Sequence, residues 1–157
     1  MKELREYRVN LITRLEDAAR AFRAACLAVT DPYLPLDENG WNVHQLAVHT
    51  RDVDRLVYGL RVRRTALEEN PEFPSFDGDA HMAEHYREDE PLSEVLDGLV
   101  ASMEALVELL RALPDEAWSR VSRHTMLGGG LTLQSWVEKS LAHIEEHLEA
   151  VKTHSGS

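Results

Sequence analysis

The spacing of apolar residues constrains this chain more than any other feature. From the amino terminus, Leu4, Tyr7, Leu11, Leu15, Ala18, Phe22, Cys26 and Val29 recur at steps of three and four. An α-helix gathers such positions into one stripe, here about seven turns long. Leu92, Leu96, Leu99, Met103, Leu106, Leu110 and Leu113 alternate steps of four and three without a break, which is the seam of a helical bundle. Between these two stripes lies another, Leu46, Val53, Leu56 or Val57 and Leu60, with His49 or Thr50 standing in it. The last runs through Leu133, Trp136, Val137, Ser140, Leu141, Ile144, Leu148 and Val151. No segment shows the two-residue alternation with β-branched enrichment that marks a strand, and there is no internal repeat. The expectation is an all-α four-helix bundle, one domain over 1–157, with helices near 3–29, 42–69, 91–113 and 132–152.

Prolines, glycines and caps set the boundaries. Asp31-Pro32 and Pro35 stop the first helix, because a proline pushes its predecessor out of helical geometry. Asn42 can cap the second helix, and Gln45 three residues on completes a capping box. Pro71 and Pro74 bound a loop over 70–78, and 79–87 reads as a short helix inside the long second-to-third connection. Pro91 suits the first turn of the third helix, and Pro114 ends it, with one or two further turns through Trp118. Gly128, Gly129 and Gly130 read as a tight connection before a fourth helix capped by Thr132. Trp118 and Trp136 read as core or interface aromatics.

The length of 157 residues suffices for one sizeable core. Against 28 acidic residues stand 17 basic ones, a formal net charge of −11. Such a surface repels nucleic-acid phosphate and anionic membranes alike, which excludes both as partners. No apolar run approaches the ~20 residues of a membrane span. The charged start, Met1-Lys2-Glu3-Leu4-Arg5-Glu6, lacks the apolar stretch of a secretory signal. The single cysteine, Cys26, excludes an intramolecular disulfide and a multi-cysteine zinc site, and on its stripe it reads as a small core hydrophobe. A cytoplasmic, reducing setting is expected.

Eight histidines are many for this length. At about 100° per residue, His143 and His147 differ by roughly 40°, one turn apart on one helix face. His49 sits on the apolar stripe of another helix. Neutral imidazoles converging from two helices suit zinc and similar divalent ions, and three of them leave a coordination position for water or substrate. The simpler reading of each histidine alone is a solvated or satisfied core residue. His81 and His85 are also four apart, in a short polar segment where surface histidines are expected. His143-Ile144-Glu145-Glu146-His147 matches the inverted zinc-peptidase string, but too little chain follows to supply its distant third ligand. Glu146 therefore reads as a solvated charge.

Trp41-Asn42-Val43-His44-Gln45-Leu46-Ala47-Val48-His49 resembles the opening of DinB-like domains, metalloenzyme bundles that include bacillithiol- and mycothiol-dependent transferases. In order there follow Arg55, the loop from Asn70-Pro71 through Pro74 to Phe76-Asp77, Asp79-Ala80, Leu113-Pro114 with Trp118, Leu131-Thr132-Leu133, and His143 with His147-Leu148. The resemblance runs from about residue 8 to 152. It implies an up-down-down-up helix order, a metal site of His49, His143 and His147, and a homodimer. It also implies a low-molecular-weight thiol as co-substrate, bound to the ion as thiolate and transferred to a small electrophile. A metal-activated water would instead support hydrolysis. Zinc, nickel and iron all suit three imidazoles.

Among residues near the mouth, Arg55 is a candidate for binding a substrate carboxylate, although helical arithmetic turns it away from His49. Asp79 is a candidate for hydrogen bonding into the site, its simpler reading being a cap on the short helix. Asp52 reads as a surface charge, and the triple glycine could present amides to an anion. Two functional readings remain: a mononuclear metal-dependent thiol transferase or hydrolase acting on a small molecule, and a non-catalytic metal-binding bundle responding to stress. An open hollow beside the histidines favours the first, a filled interior the second.

Overall fold

Each of the four apolar stripes forms a helix in the computed structural model, which describes residues 1–37 and 40–155. The outermost residues of the 1–157 expectation, Gly156 and Ser157, and residues 38 and 39 lie outside the described residues. The first stripe is α1, Lys2–Leu27. The second is α2, Val43–Val53, continued through a π-helical turn at Asp54–Tyr58 into α3, Gly59–Leu67. After the short α4, Gly78–His85, come α5, Leu92–Ala112, and α6, Leu133–Ser155. A single 3-10 turn, Asp115–Ser119, follows Pro114.

The α1 helix packs along α5 and α6, and the α2–α3 helix does the same from the opposite side while hardly touching α1. The first and second bundle helices are thus diagonal, in the order up-down-down-up. The long connection carrying α4 makes that order feasible, because a short loop would force neighbours to run antiparallel. Between the helices Leu15, Phe22, Leu96, Leu99, Met103, Leu106, Leu133 and Trp136 are fully buried. Cys26 is buried with them, and burial pushes its thiol up to about 12. None of the described helices is long and apolar enough to cross a membrane.

The capping box of α2 forms in both directions: Gln45 N donates to Asn42 Oδ1 at 2.7 Å, and Asn42 N donates to Gln45 Oε1 at 2.9 Å. The α6 helix is capped by Thr132, whose Oγ1 accepts from Ser135 N at 3.1 Å. On α4 the expected cap is displaced. Asp77, not Asp79, accepts from Ala80 N at 3.0 Å, and Asp79 lies exposed in the first turn.

The absence of strands expected from the sequence is also corrected. A small sheet closes one end of the bundle: β1, Glu72–Phe73, runs parallel to β2, Val121–His124, which pairs antiparallel with β3, Gly128–Thr132. Its pattern was invisible because β2 inverts the usual rule. It buries polar Ser122 and His124 and exposes Val121 and Arg123. Gly128 and Gly130 adopt φ of +88° and +75°, a backbone region costly for any side chain. The triple glycine is therefore a hairpin strand rather than a plain connection. Ser122 Oγ accepts from the Trp136 indole at 2.7 Å and donates to Leu131 O at 2.8 Å, which ties the hairpin to α6.

Candidate metal centre

Two helices bring three imidazoles together. His49 projects from α2, and His143 and His147 from successive turns of α6. The Nε2 atoms of His143 and His147 are 3.0 Å apart, and those of His143 and His49 are 3.4 Å apart. All three residues offer one nitrogen within 4.8 Å of the others. Two imidazole nitrogens on one tetrahedral ion at ~2.0–2.1 Å stand about 3.3 Å apart, so these spacings suit a shared cation. One shared proton could bridge only one such pair.

Electrostatics agree with that donor set. Burial pushes His143 down to about 3 and His49 and His147 down to about 4, with neighbouring imidazoles adding to the effect at His143 and His49. At neutral pH the rings are uncharged, and neutral imidazole is the form that ligates. Packing orients two of them. Trp41 lies 4.8 Å from the His49 ring and Tyr58 lies 5.3 Å from His143. Gly78 opens α4 directly over His49: a β-carbon there would stand 3.2 Å from His49 Cε1.

Beside the histidines lies an open hollow of about 320 Å³. The α2–α3 helix lines it with Val53, Val57, Tyr58 and Arg61, the connection adds Ser75, Phe76 and Gly78, and β2 contributes His124. Helical phase explains why the sequence does not reveal Arg61. Twelve residues of uninterrupted helix would rotate it about 120° from His49, but a π turn accommodates one extra residue and brings it back to about 20°. The same correction brings Val57 from about 80° to about −20°. Gly59 permits this turn: its N–H donates to Asp54 O, and a β-carbon there would come within 2.4 Å of that oxygen. His124 was hidden in the polar strand that the sequence did not reveal.

The other expected site residues fall elsewhere. Arg55 is exposed, and its guanidinium lies against Gly98 of α5, outside the hollow. Asp79 does not line the hollow either, though its charge and that of Asp52 act favourably on protonated His49. Asp52 and His81 are not the surface groups expected. Both are largely covered, and His81 Nε2 lies 3.1 Å from Asp52 Oδ2, so the pair clips α4 to α2 and holds Gly78 over the site. His85 is exposed beside His81, and Glu146 is exposed.

The fold is shared with YfiT from Bacillus subtilis, described as a probable metal-dependent hydrolase with an unusual four-helix bundle topology. The TM-score is 0.84 at 24% identity, over 96% of this chain and 86% of that one. No curated protein matches the sequence. The model of the DinB superfamily matches residues 9–151, from the second turn of α1 to the last turns of α6, and this chain belongs to that superfamily.

Proposed function

We propose that the chain is a metal-dependent enzyme acting on a small molecule, with His49, His143 and His147 holding one divalent cation. The observation that carries this reading is the convergence of three neutral imidazoles, two of which, His49 and His143, line an open hollow. When bound, zinc, nickel or iron supplies a Lewis acid that makes a nucleophile of a coordinated water or thiol at neutral pH. The protein's part is to hold His49 through Trp41 and Gly78 and His143 through Tyr58, and to present substrate along Val53, Val57 and Phe76. These apolar walls thin the water around the reacting groups, which strengthens every charge interaction there.

Hydrolysis is favoured by the description of YfiT, and thiol transfer by the family resemblance; in either reading His49, His143 and His147 hold the ion. Metal-loaded and chelated protein should be compared on chromogenic esters, and on a chromogenic electrophile with bacillithiol, mycothiol, glutathione and cysteine. Turnover that depends on the ion supports the enzyme. Equal rates in both preparations leave the non-catalytic stress-response bundle as the better account. Pairing of two copies, implied by the family, is tested by sedimentation, where a species of ~18 kDa at tens of micromolar rejects it.

A further inference from the structure

We propose that Arg61 and His124 form an anion-binding subsite in the hollow, and that the substrate is a small organic carboxylate whose charged end they hold. That this end lies beside a metal rests on the function proposed above; the subsite itself rests on its own residues.

Arg61 is only 8% exposed. Burying a guanidinium costs several kcal/mol unless an acid compensates it, and this chain has 28 acids for 17 bases. Several other arginines find carboxylates, Arg5 with Asp115, Arg14 with Glu145, Arg23 with Asp97 and Arg51 with Glu90, whereas the buried Arg8, away from the hollow, is held by Gln134 and Asp115 O. Arg61 has no carboxylate among the described residues. Its Nη2 donates to Pro74 O at 2.9 Å, and its plane lies over Trp136 at 4.8 Å and Phe73 at 5.8 Å. Aromatic faces and one carbonyl orient the cation without neutralising it. The remaining N–H groups of the fork belong to a side chain that lines the hollow.

His124 supplies a second donor. Its Nδ1 accepts from Met126 N at 3.0 Å and from Leu127 N at 3.2 Å. Both partners are donors, so Nδ1 carries the lone pair and the ring proton sits on Nε2. That N–H has no partner among the described residues, and the ring lines the same hollow. A forked cation with an added N–H donor complements a planar carboxylate, whose two oxygens accept several hydrogen bonds. A single cation in a chain of net charge −11 disfavours a phosphate dianion. Val53, Val57 and Phe76 would cover the apolar body of such a molecule.

The test uses benzoate and its neutral isostere benzamide as probes, read by calorimetry and by the nitrogen-15 signals of the imidazoles. Chelated wild-type protein should bind benzoate at least about tenfold more tightly than benzamide, as expected for a charge-assisted pair. The His124 Nε2 signal should move as benzoate binds. Arg61→Gln should abolish the preference for benzoate, and Arg61→Lys should keep part of it. The two probes on wild-type protein decide the matter even where Arg61→Gln fails to fold. Equal affinity for both probes in chelated protein overturns the subsite. So does benzoate binding that appears only with metal and is unaffected by Arg61→Gln, because the ion would then hold the anion. Failure of the metal reading shows separately, as wild-type protein that takes up no divalent ion while its preference for benzoate stands.

Discussion

His143 and His147 can grip an ion from one helix, whereas His49 must be brought to it by the fold. This difference predicts graded losses. His143→Ala and His147→Ala should lower metal occupancy at least as severely as His49→Ala, which should itself lower it strongly. Apparent stability should fall with the lost binding, by about 2–4 kcal/mol at metal concentrations of roughly 100–1,000 Kd. His85→Ala should leave occupancy unchanged and His81→Ala should keep most of it, since neither imidazole joins the cluster and His81 only helps to hold Gly78 over His49. Elemental analysis of the purified variants decides it: metal lost from the His81 and His85 variants but kept by His49→Ala would sink the assignment. These three histidines were legible as candidates in the sequence because one spacing, four residues on a helix, carries the geometry of two of them. Arg61 and His124 were not. An isolated arginine twelve residues from a histidine carries no face assignment unless the local helix pitch is known, and His124 stands in a strand whose buried positions are polar.

The π turn at Asp54–Tyr58 is the element that decides which residues the second helix shows to the site. Apolar periodicity predicted the helix but not its change of phase, because the choice of Leu56 or Val57 for the stripe was ambiguous there. The structure resolves the choice: Val57 is buried and Leu56 is 47% exposed. Gly59→Ala should therefore destabilise the protein by about 1–3 kcal/mol, as overpacking does. In an ordinary exposed helix the same change would stabilise by up to about 1 kcal/mol, so the sign measured by urea unfolding distinguishes the two cases. Asp54, at the start of the turn, is buried with no hydrogen-bond partner on Oδ1. Burial raises its carboxyl from 3.8 to about 6 despite the charges of Arg63 and Arg55 and a hydrogen bond with Ser102. The folded state thus binds the proton more tightly than the unfolded chain. Its contribution to stability is present below pH ~4 and is lost as pH rises through ~6, by an amount on the order of 3 kcal/mol. Unfolding of wild-type protein and Asp54→Asn at several pH values should show wild type losing ground to the variant across that window. Parallel profiles would exclude the effect.

At the scale of the whole molecule, the candidate metal ligands come from the second and fourth bundle helices alone, while among the described residues none of α1 or α5 joins the cluster or lines the hollow. The apolar stripes of all four helices meet in one interior, so the bundle has reason to fold before any ion arrives, unlike a small domain whose metal replaces its core. Removing metal should accordingly lower the melting temperature without abolishing helix content. Saturation at roughly 100 Kd contributes about 2.7 kcal/mol, and in a domain of this size each kcal/mol moves the midpoint by about 2–4 °C, so the expected fall is about 5–11 °C. Chelated wild-type protein should melt with His49→Ala, and added ion should raise the first and leave the second almost unmoved. Calorimetry of the four samples tests this. A midpoint indifferent to zinc, nickel and iron in wild-type protein would show that the three imidazoles bind no ion in the folded state, whatever their spacing.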